Sequence, residues 1–311
     1  MTFALTTRWN ARRHTDGEAM IGEILDLGFD RVELGFDLPA TFIPGVRRMI
    51  ASGRVKVDSL HAYCPLPPIA PFASPEPFTL ADPEEPVRRL ALRYLEETIR
   101  FAADIGARVV VAHAGNVALK PLTPRLVELI AAGHQYEPAY EDARMKLLIA
   151  REKAAPKQLE HVYAGVETLM PLLERTGRTL AFEILPTWEA IPTEVEVERL
   201  VKHFDSPRLR YWHDFGHGQI RENLGLTSHV RWMTKLLPWT AGMHIHDVEP
   251  PATDHLMPPA GTIDFRLFRE LIRGDRIRVL EPSFAVSADD IRGGLRTLGE
   301  LWKEPSEEAT K

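Results

Sequence analysis

Histidines and carboxylates recur at the ends of short apolar runs. Leu60-His61, Ala112-His113, Phe182-Glu183, His213-Asp214 with His217 beyond it, His244-Ile245-His246-Asp247 and Leu280-Glu281 each close such a run. The loop after the fifth adds Asp254 and His255. A lone histidine at the end of a strand is usually a hydrogen-bonded core residue, and a lone glutamate there is often half of an ion pair. Gathered in one pocket, four carboxylates and several imidazoles would repel one another or suffer desolvation unless a cation organised them. A divalent metal site is therefore expected. Nitrogen and oxygen donors without thiolate fit Zn²⁺, Mn²⁺, Co²⁺ or Fe²⁺, and a carboxylate-rich set leans towards Mn²⁺ or Co²⁺.

Such a pocket forms only if the runs are neighbouring strands. Eight short apolar runs, near 3–6, 31–34, 55–60, 108–112, 179–182, 209–212, 241–245 and 277–280, alternate with amphipathic stretches near 17–27, 40–52, 86–105, 145–176, 193–204, 226–237, 264–273 and 287–303. That alternation is the pattern of parallel strands joined by helices, and its strict repetition predicts an α/β fold, a closed (β/α)₈ barrel, over an open sheet. Gly28, Gly53, Gly106 and Gly177 stand between a helical stretch and the next strand, where a helix ends on a left-handed residue. Ser287 with Asp289 and Asp290 reads as the capped start of the last helix.

Two connections exceed what a barrel needs. Residues 62–86 hold Pro65, Pro67, Pro68, Pro71, Pro75, Pro77, Pro83 and Pro86, which excludes a regular helix or central strand. Residues 114–144 form the second, with a short amphipathic piece near 124–132. Both leave C-terminal strand ends, the face where barrels build active sites, so both are read as lids. The whole chain, 1–311, is then one barrel domain, because a division between His61 and Glu281 would dismantle the site.

Composition sets limits on partners. Thirty-eight Lys and Arg against 44 Asp and Glu give a net charge of −6, which argues against a long polyanion as ligand. A nucleic acid is not favoured; a small molecule is. The single cysteine, Cys64, excludes an internal disulfide or a thiolate zinc cluster. The N-terminal residues lack a charged leader with an apolar core, and no apolar run is long enough to span a bilayer, so a cytoplasmic protein without membrane partners is expected. The charged tail from Lys303 to Lys311 reads as a frayed, solvated end.

The ordered motifs Ser59-Leu60-His61-Ala62, Val110-Val111-Ala112-His113-Ala114-Gly115, Phe182-Glu183, Asp214-Phe215-Gly216-His217, Gly242-Met243-His244-Ile245-His246-Asp247, His255 through Gly261-Thr262-Ile263-Asp264-Phe265, and Leu280-Glu281-Pro282 resemble the xylose-isomerase-like TIM-barrel superfamily. That group includes sugar and sugar-phosphate isomerases and epimerases and the endonuclease IV type of AP endonuclease. The resemblance to its epimerase-type members implies one divalent ion, Mn, Zn or Co, on Glu183, Asp214, His244 and Glu281. It further implies that Glu183 and Glu281 remove and return a proton through an ene-diolate, with His217 polarising or orienting the substrate. His246, and rim aromatics such as Trp9, Trp188 and Phe284, would contact the sugar. Relatives of this type often form dimers or tetramers, so a homo-oligomer is expected.

The endonuclease-type members imply an alternative, a multinuclear phosphoester hydrolase acting on a small phosphodiester. By motif position His61, His113, His217 and His255 fall on its additional metal ligands. Two departures bear on the choice: the Asp expected two residues before His255 is Thr253, with Asp254 adjacent instead, and the Arg that sugar isomerases often carry two residues after Asp247 is Glu249.

Overall fold

The computed structural model describes residues 1–303, so nearly all of the charged tail lies outside the described residues. Eight parallel strands close a barrel: β1 (Ala4–Thr6), β2 (Arg31–Leu34), β3 (Lys56–His61), β4 (Val109–Ala112), β5 (Thr179–Glu183), β6 (Leu209–Asp214), β7 (Thr240–Ile245) and, after a hairpin, β10 (Ile277–Leu280). Closure joins β1 to β10, with Ala4 opposite Val279 and Leu5 opposite Leu280. The hairpin is an antiparallel pair, β8 (Asp247–Glu249) and β9 (Thr253–Leu256), at the C-terminal end of the barrel.

Each barrel strand is buried on both faces, as parallel strands covered by helices must be. Successive side chains alternate between the helix layer and the barrel interior. Leu60, Phe182, Ile245 and Leu280 belong to the large core under the helices, while Ala4, Val109, Val111, Ala181, Trp212, Ile277 and Val279 form a separate apolar plug. The residue two places after Val111, Ala181, Trp212 and Val279 is His113, Glu183, Asp214 and Glu281 respectively. The period of two therefore sets the chemistry directly on top of the plug.

The helices are α1 (Gly17–Asp26), α2 (Ile43–Ala51), α3 (Glu85–Ile105), α4 (Thr123–Ala131), α5 (Pro138–Thr176), α6 (Glu194–Phe204), α7 (Phe215–Asn223), α8 (His229–Leu236) and α9 (Ala288–Leu301). Gly28, Gly53, Gly106 and Gly177 all take positive φ, from 70° to 91°, at the ends anticipated for them. Ser287 caps α9, its hydroxyl accepting from the Asp290 N–H at 3.1 Å.

Four expectations need correction. In the 114–144 stretch the amphipathic piece near 124–132 is a helix, α4, but the connection is shorter than expected because α5 starts at Pro138, not near 145, with a residue suited to a first turn. The helix expected at 264–273 is only a 3₁₀ turn, Phe265–Phe268, followed by irregular turns as far as Gly274 at φ 85°, where Arg278 donates to the Ile272 and Gly274 carbonyls. Helix α7 was not anticipated, because Gly216 and Gly218 hide its pattern; Asp214 caps it by accepting from the His217 N–H at 2.7 Å. The β8–β9 hairpin was likewise unforeseen, its short strands being separated by Pro250 and Pro251. Among the described residues no helix is long and apolar enough to cross a membrane.

Candidate active site

Four side chains meet above the plug. Glu183 ends β5, Asp214 ends β6, His244 lies in β7 and Glu281 follows β10, and one ligand atom from each lies within 4.8 Å of the others. All four are buried. His244 is the pivot, with Nδ1 at 3.3 Å from Glu183 Oε1, 3.2 Å from Glu281 Oε2 and 3.7 Å from Asp214 Oδ2. Its Nε2 faces Glu33 Oε1 at 3.0 Å, and Glu33 in turn accepts from Ser59 Oγ at 2.7 Å. A carboxylate can only accept, so Nε2 carries a proton, and Nδ1, facing three carboxylates, must hold either a second proton or a cation. Although burial opposes it, Glu281, Glu33 and Glu183 push the His244 pKa well above its ordinary value. Nδ1 has no hydrogen-bond partner there. An imidazole nitrogen among three carboxylate oxygens, with its other nitrogen held by a carboxylate, is a set that could hold a divalent cation.

The electrostatics say the same. Burial alone would raise the carboxyl pKa values, but neighbouring cations outweigh it. Glu183 is held well below its ordinary value by His244, His113 and His217, and Glu281 is held at about 2 by His244 and Arg8. Asp214 is also lowered, by His217 and His246. His217 is lifted to about 9, since Asp214 and Glu183 overcome the cost of burying its charge. All three acids are thus ionised at neutral pH, and the compensating charge must come from protons on imidazoles or from a metal ion.

A second ring of histidines surrounds the quartet. His61 and His113 both direct Nε2 at Glu183 Oε2, each at 3.2 Å. The Nδ1 of His61 donates to its neighbour's carbonyl, Ala62 O, at 3.2 Å, so its Nε2 is the nitrogen left for a cation or a second proton. His61, His113 and Glu183 thereby make a second group able to hold a metal ion. On the opposite side His217 donates Nδ1–H to Ile184 O and His255 donates Nδ1–H to Glu281 O, both at 3.0 Å. His255 stands at φ +55°, a left-handed conformation that side chains other than glycine seldom take and that clusters at functional sites.

Other expected contacts fall differently. His246 is fully buried with both ring nitrogens engaged, one by the His255 N–H at 2.9 Å and one by Asp214 at 3.0 Å, so it cannot touch a substrate. Trp9 is buried too; its indole donates to Val286 O at 2.8 Å and Arg13 covers the ring, which removes it from the substrate surface. Trp188 is half-buried, flanked by Arg221 and Arg151 at 5.1 and 6.0 Å from its ring, and Phe284 stays exposed with Arg12 over it. Asp247 closes the following loop by accepting from Gly261 and Ile263 N–H. His213 faces away from the mouth, bonded to Tyr211 and His229.

Two residues were missed by sequence reasoning. Glu33, fully buried in β2, orients His244; a carboxylate inside an apolar parallel strand was the available signal. Arg8, just past β1, donates from Nη1 to Glu281 Oε1 at 2.8 Å and lies over Phe36, leaving Oε2 to face His244.

The family model described as xylose isomerase-like TIM barrel matches residues 21–283, and the chain belongs to that family. No curated protein matches it in sequence. Among solved structures it is similar to a D-tagatose 3-epimerase-like protein, at 18% identity over 97% of each chain with a TM-score of 0.67. It is also similar to the 3-keto-D-glucoside 4-epimerase of E. coli, at 16% identity over 96% of this chain and 99% of that one, TM-score 0.67. The IolI protein, solved with a zinc atom, aligns at 12% identity over 99% of this chain and 100% of that one, TM-score 0.68. At such identities the likeness carries the fold.

Proposed function

We propose that this member of the xylose isomerase-like TIM-barrel family is a divalent-metal-dependent isomerase or epimerase of a sugar, sugar phosphate or related polyol. The observation that carries the reading is His244 Nδ1 facing Glu183, Asp214 and Glu281, a candidate ligand set of one nitrogen and three carboxylates suited to Mn, Co or Zn. Neighbours of the same fold that are named as D-tagatose 3-epimerase-like, L-ribulose 3-epimerase and D-psicose 3-epimerase support a ketose as the substrate class. A bound divalent ion would polarise a carbonyl and the adjacent hydroxyl, making the C–H between them acidic.

The chain's own groups would do the rest. Glu183 and Glu281 are set on different strands: one, as carboxylate, would take the proton from carbon, and the other, having picked up a proton from solvent, would deliver it to the opposite face of the ene-diolate. Arg8 fixes Glu281 by Oε1, so that Oε2 stays turned to His244 and the candidate metal site. His217, anchored through Nδ1 on Ile184 O, is left with Nε2 for a substrate oxygen. Residues 62–86 act as a lid, a role supported by Glu76 Oε1 lying 3.8 Å from His113 Nδ1.

A second reading is a phosphoester hydrolase with more than one metal, and one observation favours it: His61 and His113 converge on the same Glu183 oxygen. Solvent-deuterium incorporation separates the two. Incubated with Mn²⁺ or Co²⁺ and D-tagatose, D-psicose or L-ribulose in D₂O, the enzyme should label the carbon beside the carbonyl, and Glu183→Gln should abolish the label. Absence of label from every ketose, with metal-dependent alcohol release from small phosphodiesters, would replace the first reading by the second.

A further inference from the structure

Most histidines of the mouth keep one nitrogen in reserve. His61, His217 and His255 each spend Nδ1–H on a backbone carbonyl, and His244 spends Nε2–H on Glu33. His246 keeps none. Its Nδ1 accepts from the His255 N–H at 2.9 Å, which requires a bare lone pair and puts the single ring proton on Nε2. That nitrogen lies 3.0 Å from Asp214 Oδ1 and 3.1 Å from Oδ2. Although ring nitrogens of His217, His246 and His255 lie within 4.8 Å of one another, His246 has no lone pair to give a metal without breaking one of these bonds.

The ring fits where it is because position 216 has no side chain. A Cβ on Gly216 would stand 1.9 Å from His246 Cε1 and 2.5 Å from its Nδ1, both far inside contact distance. Asp214 is therefore held from two sides, by the His217 N–H at Oδ1 and by the ring of His246 across both oxygens. The β8–β9 hairpin supplies the His255 N–H and is thereby tied to the carboxylate.

We infer that His246 is a positioning residue for the metal ligand Asp214, with its tautomer set by the His255 backbone and its place kept open by Gly216. The inference rests on the assignment of Asp214 as a ligand made above. Outer partners that orient a first ligand typically contribute 10–100-fold in metal affinity.

The test is a Co²⁺ titration followed by visible absorption, with chelator competition for the dissociation constant and circular dichroism to check the fold. His246→Leu should weaken binding by about 10–100-fold and alter the Co²⁺ bands. His246→Gln keeps an N–H donor towards Asp214 and should recover most of that loss, whereas Gly216→Ala, which changes no ligand, should reproduce the weakening. A folded His246→Leu protein with wild-type affinity and spectrum would overturn the inference. Should the Leu variant fail to fold, wild-type binding by both Gln and Ala variants would do so. Unchanged affinity in His246→Leu beside a weakened Glu183→Gln would remove this inference alone; a wild-type protein that takes up no divalent ion would remove the functional reading as well.

Discussion

Two layers of one barrel interior, two residues apart along the same strands, obey opposite rules. In the lower, Val111, Ala181, Trp212, Ile277 and Val279 pack against one another as an apolar plug without charge. In the upper, Glu183, Asp214 and Glu281 crowd His244, whose Nδ1 has no partner, and the Nδ1 of His113 has none either. Such a layer costs stability unless a cation compensates it, since buried carboxylates are tolerated only when paired. The lower layer makes the barrel and the upper one makes it useful. Rigidity beneath and concentrated charge above together give a site ordered in advance of the metal and substrate proposed for it.

The largest effect should come from neutralising the upper layer's shared carboxylate. Glu183→Gln is expected to reduce ketose exchange by at least about 10³-fold, measured as deuterium incorporation, and to weaken metal binding. In the lower layer Ile277→Ala should cost about 2–5 kcal/mol of stability by denaturant titration while leaving metal affinity intact; a matching loss of the ion would show that the layers are not separable. Stripping the ion with a chelator should cost about 2.7 kcal/mol relative to protein held at one hundred times its dissociation constant. That loss should be the same in wild type and Ile277→Ala, because it belongs to the upper layer alone.

The smallest effect lies outside both layers. Arg13, His14 and Asn10 outweigh burial and hold Glu23 at about 2, against an ordinary 4.5. A depressed folded pKa gives stability that is full above about pH 4.5 and is lost as pH falls towards 2. Solvent screening keeps that contribution below about 1 kcal/mol, and Glu23→Gln should remove it from an acid titration of Tm.

The strands were legible because a parallel strand buried on both faces reads as a short, mainly apolar run, and the candidate ligands were legible because they stand at or near the ends of those runs. Glu183, Asp214, His244 and Glu281 converge for that reason. What sequence could not supply was the use of each nitrogen. His244 and His246 stand two residues apart, yet one turns Nδ1 into the carboxylate cluster and the other is spent on Asp214; the difference comes from Glu33 and the His255 amide. Trp9 was misplaced because a strand-end aromatic looks the same whether it faces the mouth or tucks under Val286. Helix α7 was hidden by Gly216, whose missing side chain serves the His246 ring and not the helix.

The most direct measurement is the anomalous scattering of crystals grown with Mn²⁺ or Co²⁺. The account predicts a peak between His244 Nδ1 and the carboxylates of Glu183, Asp214 and Glu281. Strong peaks elsewhere with none at His244, or no peak in crystals bathed in either ion, would contradict it.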